Sequence, residues 1–197
     1  MRLILASSCL QKKDLLSHIG YKVNLTITPD INKASFSKEP PEKLAARLAI
    51  EKCRKVAMEF PNDIIIATDT VVEKGRREIL KPVNMQQAEE VLKLLSGGRY
   101  RVITGVCIKV LGKEITKTVL TKLKFKKLSQ EEINIILKSK EWQSKSARLL
   151  CLGLAAAYVT WLSGSHSNVM GLPLAETHKM LQGFGLKQNS AEVQQTI

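Results

Sequence analysis

The segment Asp63-Ile64-Ile65-Ile66-Ala67-Thr68-Asp69-Thr70-Val71-Val72 constrains the fold most. Its near-continuous apolar run reads as a buried strand, because it leaves no alternating polar face for water. That strand is read over Asp63–Thr68, which puts Asp69 directly after it. Open α/β sheets border their ligand crevices with the carboxyl ends of strands. A carboxylate there can activate water or hold Mg²⁺ beside phosphates. It can equally do no more than cap a turn.

The flanking elements alternate in type. Leu3–Ala6 reads as a short buried strand, Leu10–Ile19 as a helix stopped by Gly20, and Tyr21–Thr28 as a second strand. Asp30–Pro41 is a polar loop leading into the clearest amphipathic helix, Glu42–Phe60. Glu73–Glu78, with Gly75, suggests a hairpin turn, and Met85–Leu95 a helix ended by Gly97-Gly98. Arg99–Val110 and Glu114–Lys126 pair as a hairpin around Gly112. Ser129 and Glu132 form a capping box for a helix over Gln130–Lys138. Leu154–Leu162 reads as a strand, Leu172–Leu181 as a helix with Pro173 in its first turn, and Lys187–Ile197 as a frayed polar tail. Intermixed strands and helices give an α/β or α+β class with a mixed sheet. At 197 residues, one domain over 1–186 is expected.

Composition narrows the setting. No apolar run approaches the roughly 20 residues of a membrane span. The apolar N-terminus, Leu3–Ala6, is too short for a secretory signal, so a cytoplasmic chain is expected. Cys9, Cys53, Cys107 and Cys151 are scattered without a CxxC pair and read as reduced thiols. His18, His166 and His178 lack metal-ligand spacing. Lys+Arg outnumber Asp+Glu 31 to 18, a formal charge of +13. Much of the excess lies between Arg99 and Lys127, including the alternating Lys122-Leu123-Lys124-Phe125-Lys126. That pattern is a strand with one wet face, or a positive field that attracts nucleotides or a nucleic acid backbone. Aromatics make up only 5 % of the chain, sparse for a surface that stacks bases.

Three further constellations could carry chemistry. Ser7-Ser8-Cys9 joins a strand to a helix, where orphan amides and the helix dipole favour a phosphate; Lys12 and Lys13 add charge, although either serine could simply cap the helix. Lys52 lies near the apolar stripe of the Glu42–Phe60 helix, and Lys81 precedes Pro82; ordinary surface lysine is the bland alternative for both. Gly164-Ser165-His166-Ser167-Asn168 leads through Gly171 to Pro173 and suits an anion or a base edge as well as a plain helix cap. Neither GxxxxGK[ST] nor GxGxxG occurs.

In order, the segments LILASSCLQKKDLL, LAIEKCRKVA, ATDTVV, EILKP, LLSGGRYRVITGV, KLSQEEI and SGSHSNVMGLPLAET resemble the Maf family of nucleotide pyrophosphatases from Leu3 to about Gly183. The resemblance implies an elongated two-lobed α/β fold, similar to inosine-triphosphate pyrophosphatases, with a central cleft. It implies hydrolysis of a nucleoside triphosphate to the monophosphate and pyrophosphate with Mg²⁺ or Mn²⁺, a house-cleaning role and a link to septum formation. No specific nucleic acid or membrane partner is expected, and a homodimer stays open. Asp69 falls at the catalytic position and is the metal residue, while Ser7, Ser8, Lys12, Lys52 and Lys81 fall where the triphosphate binds. Gln11, Thr70 and Leu152 fall at specificity positions. The Ser-Asn-Val-x-Gly-Leu-Pro ending looks like the branch acting on dTTP and UTP. Gln11-Lys12 stands where the family has Arg-Arg, Lys33 where it has Glu, and Leu152 where it has Gln. Those departures motivate an alternative, a non-catalytic homologue that binds nucleotide. The charge alone motivates another, a basic nucleic-acid-binding module.

Overall fold

A computed structural model describes residues 1–75, 77–143 and 153–189. The elements run β1 (Leu3–Leu5), α1 (Leu10–His18), β2 (Leu25–Thr26), α2 (Pro41–Glu59), β3 (Ile64–Lys74), β4 (Arg77–Glu78) and α3 (Met85–Leu95). They continue with β5 (Arg99–Val110), β6 (Lys113–Phe125), α4 (Gln130–Lys138), β7 (Val159–Ser163), α5 (His166–Val169) and α6 (Leu174–Gly183). Six of the strands form one mixed sheet in the order β2-β1-β3-β5-β6-β7, and β4 adds to β3 off that path. The class is α/β, as expected.

Three helical boundaries follow from local chemistry. The Asn84 side chain accepts the Gln87 amide and starts α3, while Ser129 and Glu132 close the capping box of α4. Pro41 opens α2, because a proline at the first helical position forgoes only an amide with no intrahelical partner.

β3 departs most from expectation. It continues through Thr68-Asp69-Thr70 to Lys74, because β5 pairs with it from Ile65 to Glu73. Asp69 therefore lies within a strand, neither at its end nor in a turn. Tyr21–Thr28 reduces to the two residues of β2, which has only the three-residue β1 to pair with. Leu154 to Tyr158 belongs to a 3-10 turn over Gly153–Tyr158, in which only Ala155 is buried, and the strand begins at Val159. Gln188 and Asn189, expected in a frayed tail, instead hydrogen bond to the carbonyls of Ile19 and Gly20.

The long strands carry separate apolar clusters at their two ends. One gathers Val72, Leu92, Tyr100, Phe125 and Ile133 beneath α3 and α4. Others gather Ile64 to Ala67 with α1, α2 and α6. Thr68, Asp69 and Thr70 fall between them. β5 occupies one edge of β3 over residues 65–73; the opposite edge is shared by β1 at Leu3–Leu5 against Ile64–Ile66 and by β4 against Glu73 and Lys74. Between those contacts, over residues 67–72, no described strand covers that edge. The gap opens beside the β1–α1 turn on one side and β4 on the other.

Candidate active site

Asp69 and Lys52 meet at this gap. Asp69 pairs across the sheet with Gly105, and α2 crosses that face close to Gly105; a methyl group at Gly105 would collide with the backbone carbonyl of Ala45. This close approach lets Lys52, on α2, form an ion pair with Oδ1 of Asp69. The Lys52 ammonium also donates to the carbonyl oxygen of Thr68 at 3.3 Å.

Lys12 reaches the same oxygen from α1, its Nζ also 3.3 Å from the Thr68 carbonyl. Lys12 is 5 % exposed and Lys52 9 %, so neither is an ordinary surface lysine. Two ammonium groups share one carbonyl oxygen beside the Asp69 carboxylate. Burying like charges costs energy unless opposite charge is supplied. The arrangement is therefore chemically suited to an anion.

The β1–α1 turn adds a second feature of the same sign. Neither serine caps α1: Cys9 occupies the cap position without a side-chain cap hydrogen bond, and Ser7 Oγ instead accepts the Cys9 amide at 3.2 Å. No side-chain cap hydrogen bond closes this end of α1, where the positive end of the helix dipole lies. Ser8 is exposed and Gln11 half-buried on this turn.

On the other side of the gap, Glu78 and Lys81 line an open hollow of about 680 Å³ between β4 and α3. Lys81 is exposed, and no described contact joins it to Lys52 or Asp69. Burial pushes the Glu78 carboxyl above the ordinary range, and the negative charges of Asp69 and Glu39 push it further.

Thr70 points to the opposite face from Asp69. Its hydroxyl lies 2.9 Å from that of Thr104, which reaches the carbonyl oxygen of Asn168 at 3.1 Å. Thr68 Oγ1 donates to the carbonyl of Gly171 at 2.9 Å. The Gly164–Pro173 segment is thus anchored beneath the site, and His166 is exposed on it. Leu152 lies outside the described residues.

A family model described as Maf-like protein matches residues 2–184. The chain belongs to the Maf family. Among its Maf relatives, the dTTP/UTP pyrophosphatase of Wolbachia pipientis subsp. Culex pipiens (strain wPip) is 41 % identical over 184 residues, 92 % of this chain and 94 % of that protein. The nucleoside triphosphate pyrophosphatase of Anaplasma phagocytophilum (strain HZ) is 38 % identical over 183 residues, 92 % of this chain and 95 % of that one. The solved structure of the Staphylococcus aureus Ham1 protein superposes on this Maf chain with a TM-score of 0.47 and 14 % identity, over 73 % of this chain and 100 % of that one.

Sequence reasoning passed over Gly105, Glu78 and Thr104. Glycine within an otherwise apolar strand, flanked by Thr104 and Val106, was the available signal for Gly105, since such a residue often marks close backbone approach. Nothing local marked the other two. No group of three or more His, Cys, Asp or Glu side chains able to cage a metal occurs among the described residues. Asp69 nevertheless suits Mg²⁺, which typically binds through one or two carboxylates together with substrate phosphates. No helix among the described residues is long and apolar enough to cross a membrane.

Proposed function

We propose that this Maf protein is a nucleoside triphosphate pyrophosphatase that cleaves dTTP, UTP or related nucleotides to the monophosphate and pyrophosphate, a house-cleaning activity. The observation that carries the reading is the buried pair of ammonium groups on the Thr68 carbonyl beside Asp69. The names of the Wolbachia and Anaplasma relatives support the same reaction class.

In this reading Lys12, Lys52 and the first-turn amides of α1 hold the triphosphate, with Ser7 and Ser8 at the mouth of that turn. Lys81 approaches the polyphosphate from the β4 side of the gap. Asp69 accepts a proton from the water that attacks the α-phosphorus, and pyrophosphate departs with its charge balanced by the lysines. A divalent cation would be held by Asp69 together with phosphate oxygens, and when bound it supplies further neutralisation of the leaving group. Gln11 borders the binding turn and Thr70 the base.

The deciding experiment is pyrophosphate release from UTP, dTTP, CTP, GTP and ATP with Mg²⁺ or Mn²⁺. Release from at least one of them, lost in Asp69→Asn, is the expected result. Folded protein that releases no more than this variant sinks the proposal. Calorimetric nucleotide binding without turnover would then favour the non-catalytic homologue.

A further inference from the structure

The sheet face that α2 covers turns from apolar to basic at the first turn of that helix. Residues directly opposite on paired strands share a face. Leu44 and Leu48 of α2 pack with Val71 and Ile103 on this side. The helix begins at Pro41, and Glu42 lies 3.6 Å from Arg101. Beyond that point Arg99, Lys124 and Trp161 stand in one row across β5, β6 and β7, with Arg101, Lys122 and Ser163 in the next. Arg99, Lys122 and Lys124 are exposed, and the indole of Trp161 is 40 % exposed. The other side of the same strands is apolar, with Tyr100, Leu123 and Phe125 buried there.

Positive charge is left over on this face. Arg101 is answered by Glu73 and Glu42. Among the described residues, no carboxylate pairs with Arg99, Lys122 or Lys124. Arg99 instead lies over the Trp161 ring, its Cζ 5.2 Å from the centroid, in a cation–π contact. Aromatics are sparse in this chain, yet the fold sets one of its two tryptophans on the charged face. A merely solvated strand face would need the lysines but no exposed indole. A membrane surface asks for a broad apolar face, whereas only Leu120, 38 % exposed, joins the indole here. A duplex keeps its base faces inside the stack. A single strand offers phosphates to the cations and an unstacked base to the ring.

We propose that the outer face of β5, β6 and β7 binds single-stranded nucleic acid without sequence preference. Arg99, Lys122 and Lys124 take backbone phosphates, and a base stacks on Trp161. Every base has a π-face, so stacking of this kind tolerates any sequence. The face is separate from the Asp69 site. Glu73, the β3 residue opposite Arg101, lies four residues along the strand from Asp69, about 13 Å. The inference goes beyond the pyrophosphatase reading and stands without it.

The test titrates the full chain against a labelled oligothymidylate of about 12 nucleotides, reading fluorescence anisotropy across a range of salt. Oligouridylate, a DNA duplex of the same length and vesicles of phosphatidylserine with phosphatidylcholine form the other arms. Both single strands are expected to bind and to quench tryptophan fluorescence. The logarithm of affinity should fall with the logarithm of salt at a slope of about −2, three phosphates at about −0.7 each. Trp161→Ala is expected to weaken binding about tenfold or more and to remove the quench, which the buried Trp142 does not supply. Lys122→Gln with Lys124→Gln should flatten the slope by about 1.4. Lys113→Gln with Lys117→Gln takes the same charge from the opposite face of β6 and should leave the slope unchanged. Should Trp161→Ala fail to fold, the two lysine pairs, all exposed, still decide. Equal effects of the two pairs would mean attraction by net charge alone and overturn the proposal. So would no binding at about 50 mM salt, or a duplex held as tightly as a single strand. Vesicles bound while the strands are not would assign the face to a membrane and overturn it too. Pyrophosphate release that falls in step with oligonucleotide binding would place the face within the Asp69 site, with the same consequence.

Discussion

The side-chain nitrogens of Lys12 and Lys52 each lie 3.3 Å from one carbonyl oxygen, that of Thr68. One comes from the first turn of α1 and the other from α2, and both are buried. Like charges gathered this way are stabilised when an anion joins them.

Asp69→Asn preserves shape and removes the proton acceptor. Pyrophosphate release is expected to fall by about 10²–10⁴-fold, the usual worth of a positioned general base. Steady-state kinetics on UTP, with circular dichroism as the folding control, measures the effect.

Lys12→Met is expected to weaken substrate binding. It removes an ammonium group that donates to the Thr68 carbonyl, and KM for the triphosphate rises about tenfold or more with the loss of a charge-assisted hydrogen bond. A KM determination, with circular dichroism as the folding control, checks this.

Added triphosphate or pyrophosphate is expected to stabilise the protein by filling the anion site, even without metal. At a hundred times its Kd a ligand contributes about 2.7 kcal/mol. Thermal shift against UTP concentration reads this directly, and Lys52→Met should flatten the response.

Gly105→Ala is expected to be destabilising out of proportion to its size. The added methyl meets the backbone of Ala45, not a side chain that could swing aside. Overpacking of this kind costs about 1–3 kcal/mol. It lifts α2 off the sheet and draws Lys52 away from Asp69, so urea unfolding and activity should both register the change.

The loop before α2 should confer acid sensitivity. Arg47 bonds both carboxylate oxygens of Glu39, at 2.7 and 2.8 Å, stacks on Phe36 and holds the Glu39 carboxyl below its ordinary range. A depressed carboxyl contributes stability above its unfolded pKa and loses that contribution as pH falls through the folded one. Glu39→Gln should therefore be less stable than wild type at neutral pH, with the two converging below about pH 4. Denaturant unfolding across that range tests the sign.

Much of the architecture was legible before any coordinates. The bounds of α3, α4 and β5 agree with expectation residue for residue, since each is set by a local signal: the Gly97-Gly98 stop after α3, the Ser129–Glu132 box, and the turn at Gly112. Phe125 is buried and Lys124 exposed, as alternation required. Elements whose extent depends on a pairing partner differ from the local pattern. Leu154 to Tyr158 is apolar enough for a strand but pairs with no strand among the described residues, and Tyr21–Thr28 outruns the short β1 beside it.

The chain by itself determined which segments fold as helix or strand, which residues bear charge, and the family to which they belong, because burial pattern, caps and motif order are written locally. Tertiary structure decided that β1 and β4 share one edge of β3 and leave its middle uncovered. It also decided that α2 settles on Gly105 and that two lysines meet at one carbonyl. The physical reason is that edge pairing and close helix approach join residues far apart in the chain, and such contacts depend on the space left by every other element, not on any local run of residues.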